Sequence, residues 1–180
     1  MAMMILLGAI ILFQAASAAP QSAPVPAPPA CDSEQHAAFD FWVGEWDVFP
    51  HREGAAKVAD SRIERLYAGC AVRENWMPLN GTGGGSLNAY EPSTGLWHQF
   101  WTGSSPGRVE FIGGPANGAM VLTGYWRDFG GPGQHALVRQ TFTAIDSETV
   151  RQHGEASTDQ GLTWQTRYDF IYRRKEGPGQ

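Results

Sequence analysis

The chain is 180 residues long, which suits one domain of ordinary size and leaves no room for two large ones. A net charge of -5, with no Lys/Arg run longer than Arg173-Arg174-Lys175, excludes a general polyanion binder, so no nucleic-acid partner is expected. Gly 22, Pro 12 and Trp 7, with only 17% charged residues, exclude a helical bundle and leave an aromatic-rich, all-β domain.

Residues 3–13 (MMILLGAIILF) form an unbroken apolar run, followed by Ala16-Ser17-Ala18. That is an h-region with an A-x-A cleavage site, and it predicts a signal peptide over 1–18. The run is shorter than the roughly 20 apolar residues a bilayer span needs. No Lys or Arg precedes it, and an uncleaved anchor is the alternative. Residues 19–30 (APQSAPVPAPPA) read as a Pro/Ala-rich spacer that cannot bury a core. The sequence therefore predicts a periplasmic or secreted protein, with no membrane partner after cleavage.

Cys31 and Cys70 are the two cysteines, and an even pair in an exported chain predicts a disulfide. Closing a loop of that size contributes about 3–4 kcal/mol in the chain-entropy model. Neither cysteine has a second Cys or His at ligand spacing, so no metal is expected there. Lipidation of Cys31 is the rival reading, although Pro28-Pro29-Ala30 makes a poor lipobox.

The folded domain is expected over 31–175, with a flexible tail at 176–180. Asp32-Ser33-Glu34-Gln35 resembles a capping box and predicts a short helix through about Phe39. Beyond Phe41, apolar residues alternate with period two, which predicts strands at 42–49, 58–67, 71–77, 86–91, 96–103, 109–112, 119–127, 135–145, 149–157 and 162–173. The separators are turn-rich: Asn80 to Gly85, Glu91 to Gly95, Gly113-Gly114-Pro115, and Gly130 to Gly133. No predicted helix is long enough for a parallel crossover. A meander of about ten strands must curl to bury its edges, so the expected architecture is an antiparallel up-and-down barrel. A β-sandwich is the alternative.

Ser157-Thr158-Asp159-Gln160-Gly161-Leu162-Thr163-Trp164 fits the Asp-box pattern S-x-D-x-G-x-T-W. The Asp accepts turn amides, the Gly allows positive φ, and the Trp packs beneath the hairpin. It occurs once, with no repeat at blade period, so Asp159, Gly161 and Trp164 are expected to cap a hairpin and not to mark a glycosidase.

Phe39-Asp40-Phe41-Trp42-Val43-Gly44-Glu45-Trp46-Asp47-Val48 is the most specific stretch. It resembles the opening F-D-F-W-x-G-x-W-x-V of an exported bacterial family, number 1579 among the domains of unknown function. The likeness runs on through Arg62-Ile63-Glu64, Gly69-Cys70, Glu74-Asn75-Trp76, Gly85 to Asn88 and Thr94 to Gln99, and ends at Tyr172-Arg173-Arg174. Gly44-Glu45-Trp46 is also similar to the G-x-W motif of calycins, the superfamily of lipocalins and fatty-acid-binding proteins. That resemblance implies a barrel with a short N-terminal helix closing one end. It also implies that Trp46 lies beneath an Arg of the last strand, Arg173 or Arg174, with Arg173 the first choice. Such a contact contributes about 1–2 kcal/mol. It implies no activity.

The five histidines, at 36, 51, 98, 135 and 153, show no H-x-H or H-x-x-x-H spacing, so no metal site is expected. Haem needs one axial His in an apolar pocket, and His153 or His98 would be that ligand. The glycine pattern of nitrobindins after the G-x-W is absent, so no cofactor is assigned. No nucleophile elbow appears, and Gly81 to Gly85 lacks the following helix or Lys of a phosphate cradle. No catalytic residue is assigned.

What remains is the aromatic surplus. Trp97 and Trp101 share one face of their strand, with His98 and Phe100 on the other. Trp76 shares a face with Glu74 and Val72, and Trp164, Tyr168, Phe170 and Tyr172 share another. These aromatics either fill a small barrel outright or line a cavity with a few polar groups. Both faces of several strands are mixed, so the pattern leaves the inward face open. The candidate ligand-binding residues are Trp76, His98, Trp101, Arg139, His153 and Arg167. The leading expectation is a barrel that holds a small amphipathic or hydrophobic molecule. The alternatives are an isomerase or lyase using His98 with Glu74, and a ligand-free structural or interaction module. Nothing in the sequence sets an oligomeric state.

Overall fold

The structure, a computed structural model, describes residues 30–176. The leader, all but the last residue of the spacer, and residues 177–180 lie outside the described residues. A four-residue helix α1 (Glu34–Ala37) and a 3-10 turn (Asp40–Trp42) precede ten strands. These are β1 (Gly44–Pro50), β2 (Ala59–Leu66), β3 (Ala71–Pro78), β4 (Gly84–Glu91), β5 (Leu96–Gly103), β6 (Arg108–Ala116), β7 (Ala119–Trp126), β8 (Ala136–Ala144), β9 (Thr149–Ser157) and β10 (Gln165–Arg174). Each strand pairs antiparallel with its sequence neighbours, and β10 pairs with β1 to close the barrel. Closure satisfies the two edges that an open meander would leave unpaired.

Alternation settles which face is inside. Trp46 and Val48 on β1, Val72 and Glu74 on β3, Trp97 and Gln99 on β5, and Val138, Gln140 and Phe142 on β8 are all buried. The residues that alternate with them, His98, Phe100 and Arg139, belong to the outer face. Glycine at inward positions makes room for large rings. A Cβ on Gly154 would overlap the Tyr168 ring, its neighbour across β9 and β10, and one on Gly124 would come within 2.9 Å of Phe111.

Three boundaries differ from the sequence reading for local reasons. Gly113-Gly114-Pro115, expected as a turn, lies inside β6, and the turn is Asn117-Gly118, both with positive φ (51° and 77°). Pro115 is tolerated because the β5–β6 ladder ends at Trp97–Gly113, so its missing N–H deprives no β5 carbonyl of a partner. The last strand begins at Gln165 and not at 162, because the Asp box holds 158–164 as a loop between β9 and β10. Trp42 belongs to the 3-10 turn ahead of β1.

The disulfide joins Cys31 to Cys70, 39 residues apart. Nearby, the Arg65 guanidinium donates to the Cys31 carbonyl and pairs with Asp40, tying the same N-terminal segment to β2. Within the lumen, Phe39, Trp42, Trp46, Phe142 and Tyr172 are fully buried. Phe39 stacks on Trp42 with centroids 4.9 Å apart, and both rings meet Phe142. Trp46 Nε1 donates to the Trp42 carbonyl at 2.8 Å, and Trp97 Nε1 donates to the Gln35 carbonyl.

Trp46 lies under Arg174 and not Arg173. Strand register places Trp46 directly opposite Arg174, whose guanidinium carbon is 4.3 Å from the indole centroid and whose Nη1 donates to Val43. Arg173 faces outward by parity and stacks on Phe49 at 4.8 Å. A Cβ on Gly44 would collide with the Arg174 guanidinium, which is the reason for the Gly of Gly44-Glu45-Trp46.

Candidate functional site

The aromatic packing around Phe39, Trp42 and Trp46 fills only one end of the lumen. It is bounded by a chain of buried polar side chains that crosses the barrel from β10 to β3. Tyr172 Oη donates to Gln152 Oε1 (2.6 Å), and Gln152 Nε2 donates to Gln140 Oε1 (2.8 Å). Gln140 Nε2 donates to Gln99 Oε1 (2.8 Å), and Gln99 Nε2 to Asn88 Oδ1 (2.8 Å). Asn88 Nδ2 donates to the Val72 carbonyl (2.9 Å) and to Ser86 Oγ (3.1 Å), and Ser86 Oγ donates to Glu74 Oε2 (3.1 Å). Each amide passes a donor to the next acceptor, so every bond points the same way and the chain ends on a carboxyl group. Buried polar groups this deep in a lumen are tolerated because each is satisfied by its neighbour.

Beyond this floor lies a chamber of about 180 Å³, lined by Glu74, Trp76, Trp101, Trp126, Gln140, Gln152, Tyr168 and Phe170. The walls are nearly all aromatic. Trp76 meets Phe170 with centroids 5.5 Å apart, and Tyr168 stacks on Phe170 at 5.7 Å. Trp126 packs edge-on against Phe111 and contacts Phe129 at the rim. Two more open clefts sit at the same end, one of about 510 Å³ between the 103–108 and 126–129 segments, and one of about 350 Å³ beside Arg167. Trp101 and Trp126 are shared between the chamber and the larger cleft, which makes that cleft its mouth.

Among the described residues Glu74 is the only carboxylate lining this chamber, and it is 5% exposed. Burial pushes its carboxyl up to about 8, against a smaller opposing effect of the Ser86 hydroxyl. Burial, then the adjacent Glu74 carboxyl, also pushes the Tyr168 phenol upward, so it stays neutral. The Tyr172 phenol is raised by burial first, then by Glu74 and then by Tyr168.

Of the six candidate ligand-binding residues, the structure brings Trp76 and Trp101 together in the chamber. The other four lie elsewhere. His98 is on the outer face 3.6 Å from Glu110, so it does not pair with Glu74. Arg139 forms two hydrogen bonds to Glu155 and stacks on Trp164 at 4.1 Å. His153 faces Thr166 at 2.9 Å, and Arg167 is exposed at the rim over Phe129. Among the described residues no histidine lines the chamber, so neither His98 nor His153 is placed there as an axial haem ligand. Among the described residues, no group of three or more His, Cys, Asp or Glu is placed to hold a metal ion.

Sequence reasoning missed Trp126, Gln140, Gln152, Tyr168 and Phe170 as chamber residues. The available signal was parity: Asn88, Gln99, Gln140 and Gln152 each occupy an apolar-face position, and four such exceptions on four strands point to one layer. Trp164, expected on the face of Tyr168 and Phe170, leaves it because the β9–β10 register shifts between Thr166 and Tyr168. The hairpin itself is built as the motif predicts. Asp159 accepts from Ser157 Oγ (2.7 Å), the Thr163 amide (2.9 Å) and Thr163 Oγ1 (2.6 Å), which holds its carboxyl down at about 2.

No protein-family model matches the chain, and no curated protein matches it.

Proposed function

We propose that this chain is an exported, calycin-like barrel of the family that opens F-D-F-W-x-G-x-W, and that it binds a small, partly apolar molecule in the aromatic chamber. The chamber itself carries the reading: space walled by three indoles, a phenol and a phenyl ring, with amide and carboxyl groups on one side only. Apolar walls with a few convergent polar groups are the usual make-up of a small-molecule site. Its volume is near that of an apolar cavity of roughly 150 Å³ that admits benzene, so the ligand is one ring or a short branched chain with one polar end. The calycin kinship is supported by the Trp46–Arg174 stack and by the burial of Phe39 and Trp42 in the core. Export is supported by the Cys31–Cys70 disulfide and the leader sequence. Among the described residues no helix is long and apolar enough to cross a membrane.

Titration with benzyl alcohol, followed by tryptophan fluorescence, tests the reading, together with native mass spectrometry of protein purified from the organism that makes it. Saturable quenching and a co-purifying small molecule are expected. An empty protein with no saturable response contradicts it. A second reading, an isomerase or lyase on the same scaffold, has one observation in its favour: Glu74 is a chamber-facing acid whose proton is held near neutral pH. On that reading Glu74→Gln binds the substrate but does not turn it over.

A further inference from the structure

The chemistry of the ligand follows from what Glu74 lacks. Its Oε2 accepts from Ser86, and among the described residues nothing donates to its Oε1. The groups facing it are Ser86 and Asn88 from β4, Ser61 and Ile63 from β2, and Tyr168 and Tyr172 from β10. None of them is a cation. Arg174, the guanidinium against Trp46, belongs to the opposite end of the lumen. A buried carboxylate without a counter-ion is costly, and it must either keep its proton or be met by a positive charge from outside.

We propose that the chamber is a receptor for a small organic cation, an ammonium head held against Trp76, Trp101 and Trp126 with Glu74 as its counter-ion. This deepens the ligand-binding reading and rests on it. Two features select a cation over a neutral guest. Indole faces are the strongest side-chain partners for ammonium groups, and three of them line one chamber of about 180 Å³. The six hydrogen bonds from Tyr172 to Glu74 all run in one direction, so the chain presents its donor end to the carboxyl group. Donors aimed at a carboxyl group favour its ionised form, which is the form a cation requires. On binding, Glu74 gives up its proton to solvent and the ammonium group takes its place as the compensating charge.

The test uses phenyltrimethylammonium, which cannot titrate, its neutral isostere tert-butylbenzene, and isothermal calorimetry on the wild-type chain and Glu74→Gln. Above pH 8 the cation is expected to bind wild type at least about tenfold tighter than the isostere. Below that pH its affinity falls about tenfold per pH unit, with one proton released per ligand, while the isostere is indifferent to pH. Glu74→Gln, confirmed folded by near-ultraviolet circular dichroism, keeps its affinity for tert-butylbenzene and loses both the preference and the pH dependence. If both probes bind equally, or if Glu74→Gln keeps the preference, the cation assignment falls and the chamber reading stands. If neither probe binds wild type, both fall.

Discussion

Replacing Glu74 with Gln should make the barrel more stable at neutral and alkaline pH, and the size of the effect follows from the carboxyl's surroundings. In the unfolded chain the group titrates near 4.5, and in the folded barrel burial raises it to about 8. Below the lower value both states hold the proton and the group costs nothing. Between the two values the unfolded chain releases its proton and the folded one keeps it, so folding takes up a proton and stability falls as pH rises. The fall is complete once pH passes about 8. At about 1.4 kcal/mol per pH unit, wild type should lose about 2–3 kcal/mol from pH 5 to pH 7 and about 4 by pH 9. Gln keeps the shape and still accepts from Ser86, but it cannot ionise. Urea denaturation of both proteins at the three pH values gives the difference directly, because every other titrating group is common to both and cancels. Parallel profiles would refute the reasoning, since they would mean that Glu74 is solvated or already compensated in the folded state.

Three further outcomes follow. Arg174→Ala should cost about 1–2 kcal/mol in urea unfolding through loss of the Trp46 stack and the bond to Val43, whereas Arg173→Ala, exposed over Phe49, should cost about 0.5 or less; equal costs would undo the assignment of Arg174. Denatured, unreduced protein should show no free thiol by Ellman titration, and Cys31→Ser with Cys70→Ser should lower stability by about 4 kcal/mol for a closed loop of 39 residues. Gln99→Leu and Gln140→Leu should each cost about 1–3 kcal/mol by orphaning a buried amide, and the double variant should cost less than their sum.

The strand count, the up-and-down order and the disulfide were legible because they depend on local signals: period two, turn residues, and an even cysteine pair. The lumen was not, because occupancy depends on parity summed over ten strands. Trp97 and His98 were assigned to opposite faces of β5 correctly, yet nothing in that strand alone says that Trp97 is inside. Only closure, which sets Gln99, Gln140 and Gln152 at one level, decides it. The choice of Arg173 over Arg174 failed by one residue, and in a strand one residue reverses the face. His98, Arg139 and His153 were chosen for their chemistry, and all three sit at outward parity with partners of their own on the surface. Glu74 was singled out for a pairing with His98 that does not form, yet it is the chamber's one carboxyl group.

The most direct test of the central claim is a pair of crystal structures, ligand-free and soaked with 4-bromobenzyl alcohol, with the bromine located by its anomalous signal. The account predicts open space between Trp76, Trp101, Trp126 and Phe170 in the first, and a bromine peak within that space in the second. A lumen closed by its own side chains, with bromine found only on the outer surface, would contradict it.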